Sequence, residues 1–352
     1  MTVGPDLPVF PRKRRKAENN AYVLMNGLLL LAVGAFGCWL VGSRSLDVGS
    51  DTETYAYFFE GLGRQLPDTR LEPGFVYLSY VLRQMGLDLV QYQAALFALL
   101  LGTVVVATRN YHRYLGATRD YQTLLGAALL LLFISPMFVN ASINAIRQGL
   151  AALLVFTSLL AFHQRHWWKF AIYGLVAVGL HTSSLLYFAC APALLLSTRM
   201  LRIVAAVAFL MYVSGASMAL VQTLAPSLYA TVMEYTANPL YRSGVRVDFA
   251  VFTIFWYVLA YLLAPLVKES FRQRIIDSTA VYLVMVLPFF IIGWGFFSNR
   301  YLLPAWLAAS LLFAAIVCHS RIRQFRSPLT IGVGLIASCG VFYFYVTRGV
   351  VI

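Results

Sequence analysis

The chain has 352 residues, of which 60% are apolar and 12% charged, with a mean hydropathy of +0.74 and a net charge of +13. A soluble globular domain carries about a quarter charged residues, so the composition excludes one and requires an integral membrane protein. The basic excess excludes nucleic acid as a partner, because the Lys and Arg fall in short clusters between apolar runs, as topology signals do, and form no continuous patch.

Arg12-Lys-Arg-Arg-Lys16 leads into Ala21 to Val41, long enough to span a hydrocarbon core about 30 Å thick. A cleaved signal would need a shorter apolar region and a small-residue cleavage site, so a retained first span with a cytoplasmic N-terminus is expected. Residues 43–88 are mostly acidic, and within them Ser50-Asp-Thr-Glu53 has capping-box spacing. Tyr55, Phe58, Phe59 and Leu62 follow at helical intervals, which predicts an amphipathic helix on the membrane surface, broken at Leu66-Pro67. Glu72-Pro73-Gly74-Phe75 turns the chain into a second aromatic segment, 75–87, short for a span.

Further spans are expected at about 89–108, 121–138 and 148–162, with basic links at 109–119 and at His163-Gln-Arg-His-Trp-Trp-Lys169. Residues 170–196 read either as one long helix or as a hairpin broken at His181-Thr-Ser-Ser184. The positive-inside rule chooses: a reversal near His181 places 18 Lys and Arg on the cytoplasmic side against 9 outside, whereas a straight helix gives 14 against 13. The hairpin puts His181 at its non-cytoplasmic end, and such a broken helix is tolerated where it lines a cavity. Spans at about 203–222, 249–267, 275–296, 301–317 and 328–346 complete an all-α polytopic membrane protein of about eleven transmembrane helices. One membrane domain, 21–352, is expected after a cytoplasmic basic tail, 1–20, with extracytoplasmic segments 43–88 and 223–248.

Under this topology Asp51, Glu72, Arg147, His181, Arg242, Arg246 and Arg300 share the side opposite the basic loops. An ionisable side chain inside a bilayer costs roughly 3 kcal/mol or more, so Arg147 and His181 in apolar helices need water, a partner or a ligand. Arginines beside a headgroup layer suit a phosphate or diphosphate, since guanidinium pairs with its oxygens in two-pronged fashion. A histidine or carboxylate beside them could take a proton from an attacking hydroxyl. The plainer readings are hydrogen bonds between helices for Arg147 and His181, a helix cap for Glu53, and solvated loop charges for Arg242 and Arg246. His163 and His166 have metal-ligand spacing but flank Arg165 and Trp167 at an interface. Cys38, Cys190, Cys318 and Cys339 lack CxxC spacing, and no Walker, Rossmann or HExxH pattern is present, so no metal, nucleotide or redox cofactor is implied.

The motifs Gly49-Ser50-Asp51-Thr52 with Tyr55 and Phe59, Glu72-Pro-Gly-Phe75, Asn144-Ala-Ile-Arg147-Gln148 with Leu150-Ala151, His181-Thr-Ser-Ser184 and Asn299-Arg300-Tyr301, in this order over about 44–305, resemble the EpsG family, relatives of the Wzy-type polysaccharide polymerases. The resemblance implies polymerisation of undecaprenyl-diphosphate-linked oligosaccharide repeat units, as in O-antigen or exopolysaccharide synthesis, at the outer face of a bacterial cytoplasmic (inner) membrane. It also implies a glycosyltransferase of the GT-C type that works on membrane lipid without nucleotide sugars, alongside a flippase and a chain-length regulator. Joining it to the residue chemistry makes His181, Glu72 and Asp51, in that order, the candidate bases. Arg147 and Arg300, with Arg242 and Arg246, are the candidate diphosphate ligands, and Asn144, Gln148 and Tyr55 the candidate orienting groups. The region 61–71 and the stretch beyond 320 match no motif. Competing readings are a lipid-linked oligosaccharide ligase, a membrane O-acyltransferase and a transporter. Against the last, no corresponding pair of interrupted helices is evident in the two halves of the chain.

Overall fold

The computed structural model describes residues 12–63, 69–118, 120–233, 244–295 and 298–348, with residues 12–20 as backbone alone. Among these, helices dominate, and the one extended pairing is an isolated bridge between Val267 and Ser320. An all-helical chain is what a bilayer demands, because a helix satisfies its own backbone hydrogen bonds where water is absent. The first half comprises α1 (Arg12–Gly42), α2 (Thr52–Glu60), α3 (Pro73–Gln84), α4 (Leu89–Tyr114), α5 (Tyr121–Phe133), α6 (Pro136–Ile143), α7 (Ile146–His163) and α8 (Trp167–Leu180). The second comprises α9 (Ser184–Ala189), α10 (Thr198–Val213), α11 (Ala216–Leu224), α12 (Pro226–Met233), α13 (Val247–Leu263), α14 (Glu269–Ile292), α15 (Leu303–Cys318) and α16 (Pro328–Arg348).

From Gly149 in α7, from Ser278 in α14 and along α15 the helices are apolar and buried on nearly every face, the signature of central helices. Outer helices α1, α13 and α16 leave Leu31, Leu262 and Val333 exposed, an arrangement that suits lipid. The fold therefore fits a multi-pass membrane protein. The expected count of about eleven spans is not reached: six helices are long and apolar enough to cross a membrane, or up to eight if each of two bent pairs is one span. Three of the expected segments are helices too short for that test, Trp167–Leu180, Ser184–Leu195 and Leu303–Cys318.

Hydropathy registers length and apolarity but not bends, and the bends are large. Helices α5 and α6 meet at 83°, and α10 and α11 at 87° across Ser214-Gly215, where Gly215 has a φ of +79°. Interrupted helices thus occur in both halves, contrary to the sequence expectation, yet they are not equivalent. Every residue of α6 from Phe138 to Ile143 is buried, whereas α11 buries only Ser217.

Three further expectations are corrected. The box at Ser50 does not form: α2 starts at Thr52 with Asp51 at its N-cap and no side-chain cap, and a capping box is found instead at Asp88 and Gln91, opening α4. The Tyr55/Phe59 face of α2 packs into protein, with Phe59 stacked on Tyr92 at 3.9 Å and Tyr55 edge-on to Phe75 at 5.6 Å. An amphipathic pattern looks the same whether its apolar face meets lipid or α3 and α4. The segment 223–248, expected as a loop, contains α12. The Leu66-Pro67 break lies outside the described residues.

At His181 the backbone is extended (φ −157°, ψ 114°), which ends α8. The chain then turns back, so that Phe188 of α9 meets Phe170 of α8 edge-on at 5.6 Å and Ser184 Oγ donates to the Ala177 carbonyl.

Candidate functional site

Five chain breaks converge to form the site. Glu72 is the N-cap of α3, and Pro73 behind it starts the helix without needing an N–H partner. Its carboxylate does not cap the helix and is free to reach across to other elements. That reach depends on a close approach of α3 to α8: a Cβ on Gly74 would lie 2.5 Å from the carbonyl oxygen of Gly179.

Across this contact Glu72 Oε1 bonds His181 Nδ1 at 2.8 Å and accepts from the backbone N–H of Thr182 at 3.2 Å. Its other oxygen, Oε2, is ion-paired with Arg147 Nη1. Arg147 is the second residue of α7, just past the break at Asn144-Ala145, and its Nε donates to the Tyr55 hydroxyl at 3.2 Å. Tyr55, Glu72, Arg147 and His181, from α2, α3, α7 and the end of α8, are thus one connected unit.

Beside it, Arg300 Nη2 stands 3.5 Å from Asp51 Oδ2, each side chain about 35% exposed. Arg300 is tied to the first unit through its backbone, since Gln148 Nε2 donates to its carbonyl. Asp51 is held by a turn at Gly49, whose φ of +96° favours glycine and whose added Cβ would lie 2.5 Å from Asn144 Oδ1. Asn144 itself donates to Asn140 Oδ1 at 3.0 Å. Asn144 Oδ1 and Gln148 Oε1 are buried acceptors without a protein partner, a state that costs about 1–3 kcal/mol each.

Burial works against the Glu72 carboxylate, but the His181 bond and the positive charges beside it outweigh burial and hold its pKa down at about 2. It is therefore ionised at neutral pH. The Tyr55 hydroxyl is pushed the other way by burial, against the pull of Arg147. Two guanidinium groups face two carboxylates, so the resting site is close to charge balance.

Of the residues singled out from the sequence, Asp51, Tyr55, Glu72, Asn144, Arg147, Gln148, His181 and Arg300 are brought together. Arg246 is not: its guanidinium makes two bonds to Asp248, at 2.9 and 2.6 Å, and lies 3.8 Å over the Phe249 ring. Its pairing partner sits two residues away, which satisfies its charge locally. Arg242 lies outside the described residues. Three contributors were missed from the sequence. The Thr182 N–H is a backbone group with no residue signature. Tyr187 donates to the Tyr301 carbonyl at 3.0 Å and reads as one more aromatic in an apolar run. Arg44 reaches the Val41 carbonyl at 2.6 Å and Thr52 Oγ1 at 3.5 Å; as a charge just past the first span, it registers only as a topology signal.

No curated protein and no solved structure matches the chain. A model of the EpsG family matches residues 27–351, nearly its whole length, and on that match this chain belongs to the EpsG family, a Wzy-type polymerase-like family of bacteria.

Proposed function

We propose that the protein polymerises undecaprenyl-diphosphate-linked oligosaccharide repeat units at the outer face of the cytoplasmic membrane, with its N-terminus cytoplasmic, as a glycosyltransferase of the GT-C type. The observation that carries this reading is the Arg147–Glu72–His181 chain, built from three separate segments next to Arg300 and Asp51 in a member of this family. In the proposed reaction an acceptor sugar hydroxyl attacks the anomeric carbon of the donor sugar. The bond from that carbon to the diphosphate oxygen breaks, and undecaprenyl diphosphate leaves with the bonding pair.

The hydroxyl proton goes to His181. Glu72, anionic and bonded to Nδ1, favours the tautomer with its proton on Nδ1 and leaves Nε2 as the basic atom. Glu72 is thereby the positioning residue, and its low pKa makes it a poor base itself; Asp51 ranks behind His181. The leaving diphosphate gathers negative charge, which Arg147 and Arg300 stabilise. Arg147 is held by both Glu72 and Tyr55, and Arg300 stands beside Asp51 with its side chain partly exposed, so that both guanidinium groups are placed to meet the incoming phosphates. Asn144 and Gln148 offer carbonyl oxygens to sugar hydroxyls. A flippase supplying the lipid-linked units and a chain-length regulator are the partners this activity calls for.

Glycans from a strain lacking this chain test the proposal. Single repeat units on the lipid acceptor are the expected result. A complete absence of capped acceptor would mean a ligase, and unchanged ladders would exclude polymerisation. The bent helices do not favour a transporter, because the buried α6 and the exposed α11 are not counterparts.

A further inference from the structure

The far end of the bundle holds a second polar cavity that the polymerisation reading does not use. Helix α15 starts beside Arg300 and Tyr301 and ends at His319, so its 16 residues carry the chain about 24 Å away from the first site. There the ends of the segments that lead into α5, α14 and α16 border a cavity of about 410 Å³ lined by Lys268, Arg323, Arg326, His319, Asp120 and Pro328 among others.

Its floor is built, not incidental. The Val267–Ser320 bridge is flanked by Lys268 N donating to the His319 carbonyl at 2.9 Å and Arg321 N donating to the Leu266 carbonyl at 2.7 Å. The His319 ring stacks on Phe271 at 3.9 Å and 18°. His319 is 7% exposed, and its Nε2 is buried without a hydrogen-bond partner. Burial, reinforced by nearby His112 and Lys268, pushes this imidazole down to about 4. It is a neutral hydrogen-bonding group, and the positive charge of the cavity comes from Lys268, Arg323 and Arg326.

Three features point to an anion. Three cations face one carboxylate, Asp120, and among the described residues none of the three is in an ion pair. The first turns of α5, α14 and α16 contribute Thr123, Phe271 and Pro328 to its lining, and a helix N-terminus carries the positive end of the helix dipole. The buried Nε2 of His319 supplies a fixed polar contact. Arginine and lysine without carboxylate partners match the oxygens of a phosphate ester.

We infer that this cavity is a phosphate-binding site, with Arg323, Arg326 and Lys268 holding the phosphate oxygens over His319. A phospholipid headgroup at the membrane surface and a soluble phosphate present the same chemistry, and the test separates them. Purified full-length protein is placed in phosphate-free maltoside micelles, in the same micelles with phosphatidylglycerol added, and in the same micelles with inorganic phosphate added. Thermal unfolding and native mass spectrometry of retained lipid are then read. Stabilisation in the phosphatidylglycerol arm, with lipid retained, identifies a headgroup; stabilisation by inorganic phosphate identifies a soluble ligand. Either must weaken at least tenfold in Arg323→Gln/Arg326→Gln, of which Arg323 is exposed and Arg326 half-buried, and also in His319→Phe. No stabilisation in either arm, or stabilisation retained in the Arg323/Arg326 double variant, overturns the site. Because the Glu72-centred site is untouched, polymer synthesis in cells reports on the other proposal independently.

Discussion

Glu72 and His181, 109 residues apart in the chain, are joined by a 2.8 Å hydrogen bond between carboxylate and Nδ1. Neither residue lies within a regular helix: one is the N-cap of α3, the other the extended residue that ends α8. Their meeting is set by packing, because α3 and α8 touch where neither has a side chain, at Gly74 and Gly179.

That contact gives the first prediction. A methyl group on Gly74 would sit 2.5 Å from the Gly179 carbonyl oxygen, so α3 and α8 must separate. Gly74→Ala is expected to lower stability by about 1–3 kcal/mol, the usual cost of overpacking, and to lengthen the Glu72–His181 bond. Thermal melts of purified protein and gel analysis of polymer should both show the change. A melt and a ladder equal to wild type would mean that the helices yield without cost.

The second prediction concerns pH. The folded protein holds Glu72 at about 2, below its ordinary value of 4.5, so the stability it contributes is fully present above pH 4.5 and is lost as pH falls toward 2. At about 1.4 kcal/mol per unit, the difference corresponds to on the order of 3 kcal/mol. Glu72→Gln should therefore be less stable than wild type at pH 6–7, with the gap constant down to about pH 4.5 and narrowing below it. Melts from pH 7 to 3 check this, and a gap independent of pH would show that the carboxylate is not ionised by its partners.

How much of this was legible beforehand follows from the cost of polar groups in apolar chains. Arg147, His181, Glu72 and Arg300 stood out because hydrocarbon does not tolerate them unaided, and six of the spans were visible as apolar runs of sufficient length. The link of Glu72 to His181, the Thr182 N–H and the burial of the Tyr55 face were not visible, since each depends on which helices become neighbours. The bends at 134–135 and 214–215 were hidden because a sliding average reads bent and straight helices alike. Arg246 looked equivalent to Arg300 as a charge near a span end. Its neighbour Asp248 was in plain view, and the local pairing was the signal to read.

The third prediction contrasts the arginines. A lysine cannot reproduce the two-pronged contact of Arg147 with Glu72 and Tyr55, so Arg147→Lys should cut polymerisation by about 10²-fold or more at unchanged protein level. Arg300→Lys should also impair it, by a smaller factor, because a single ammonium can still approach phosphate. Arg246→Ala, which loses only a partly exposed pair with Asp248, should leave chain length unaltered. Immunoblots and glycan gels from complemented cells measure all three. Loss of polymer in Arg246→Ala at equal protein level would require a diphosphate path that includes the α13 end.

The fourth prediction isolates the base. Asparagine at position 181 places an amide N–H near the position of Nδ1, so it can keep the bond to Glu72 while lacking the nitrogen that would take the proton. His181→Asn should melt within about 1 kcal/mol of wild type, as a surviving hydrogen bond implies, yet lose roughly 10²–10⁴-fold in rate, the range for a positioned general base. Extension of a purified lipid-linked repeat unit, followed by gel, reads the rate directly. The residual rate should rise with pH as hydroxyl nucleophiles ionise unaided, whereas a loss caused by misfolding would be flat. If His181→Asn extends the chain at the wild-type rate, the proton goes elsewhere. Asp51 is then the remaining acceptor, because Glu72, held ionised by Arg147 and His181, binds a proton too weakly to compete.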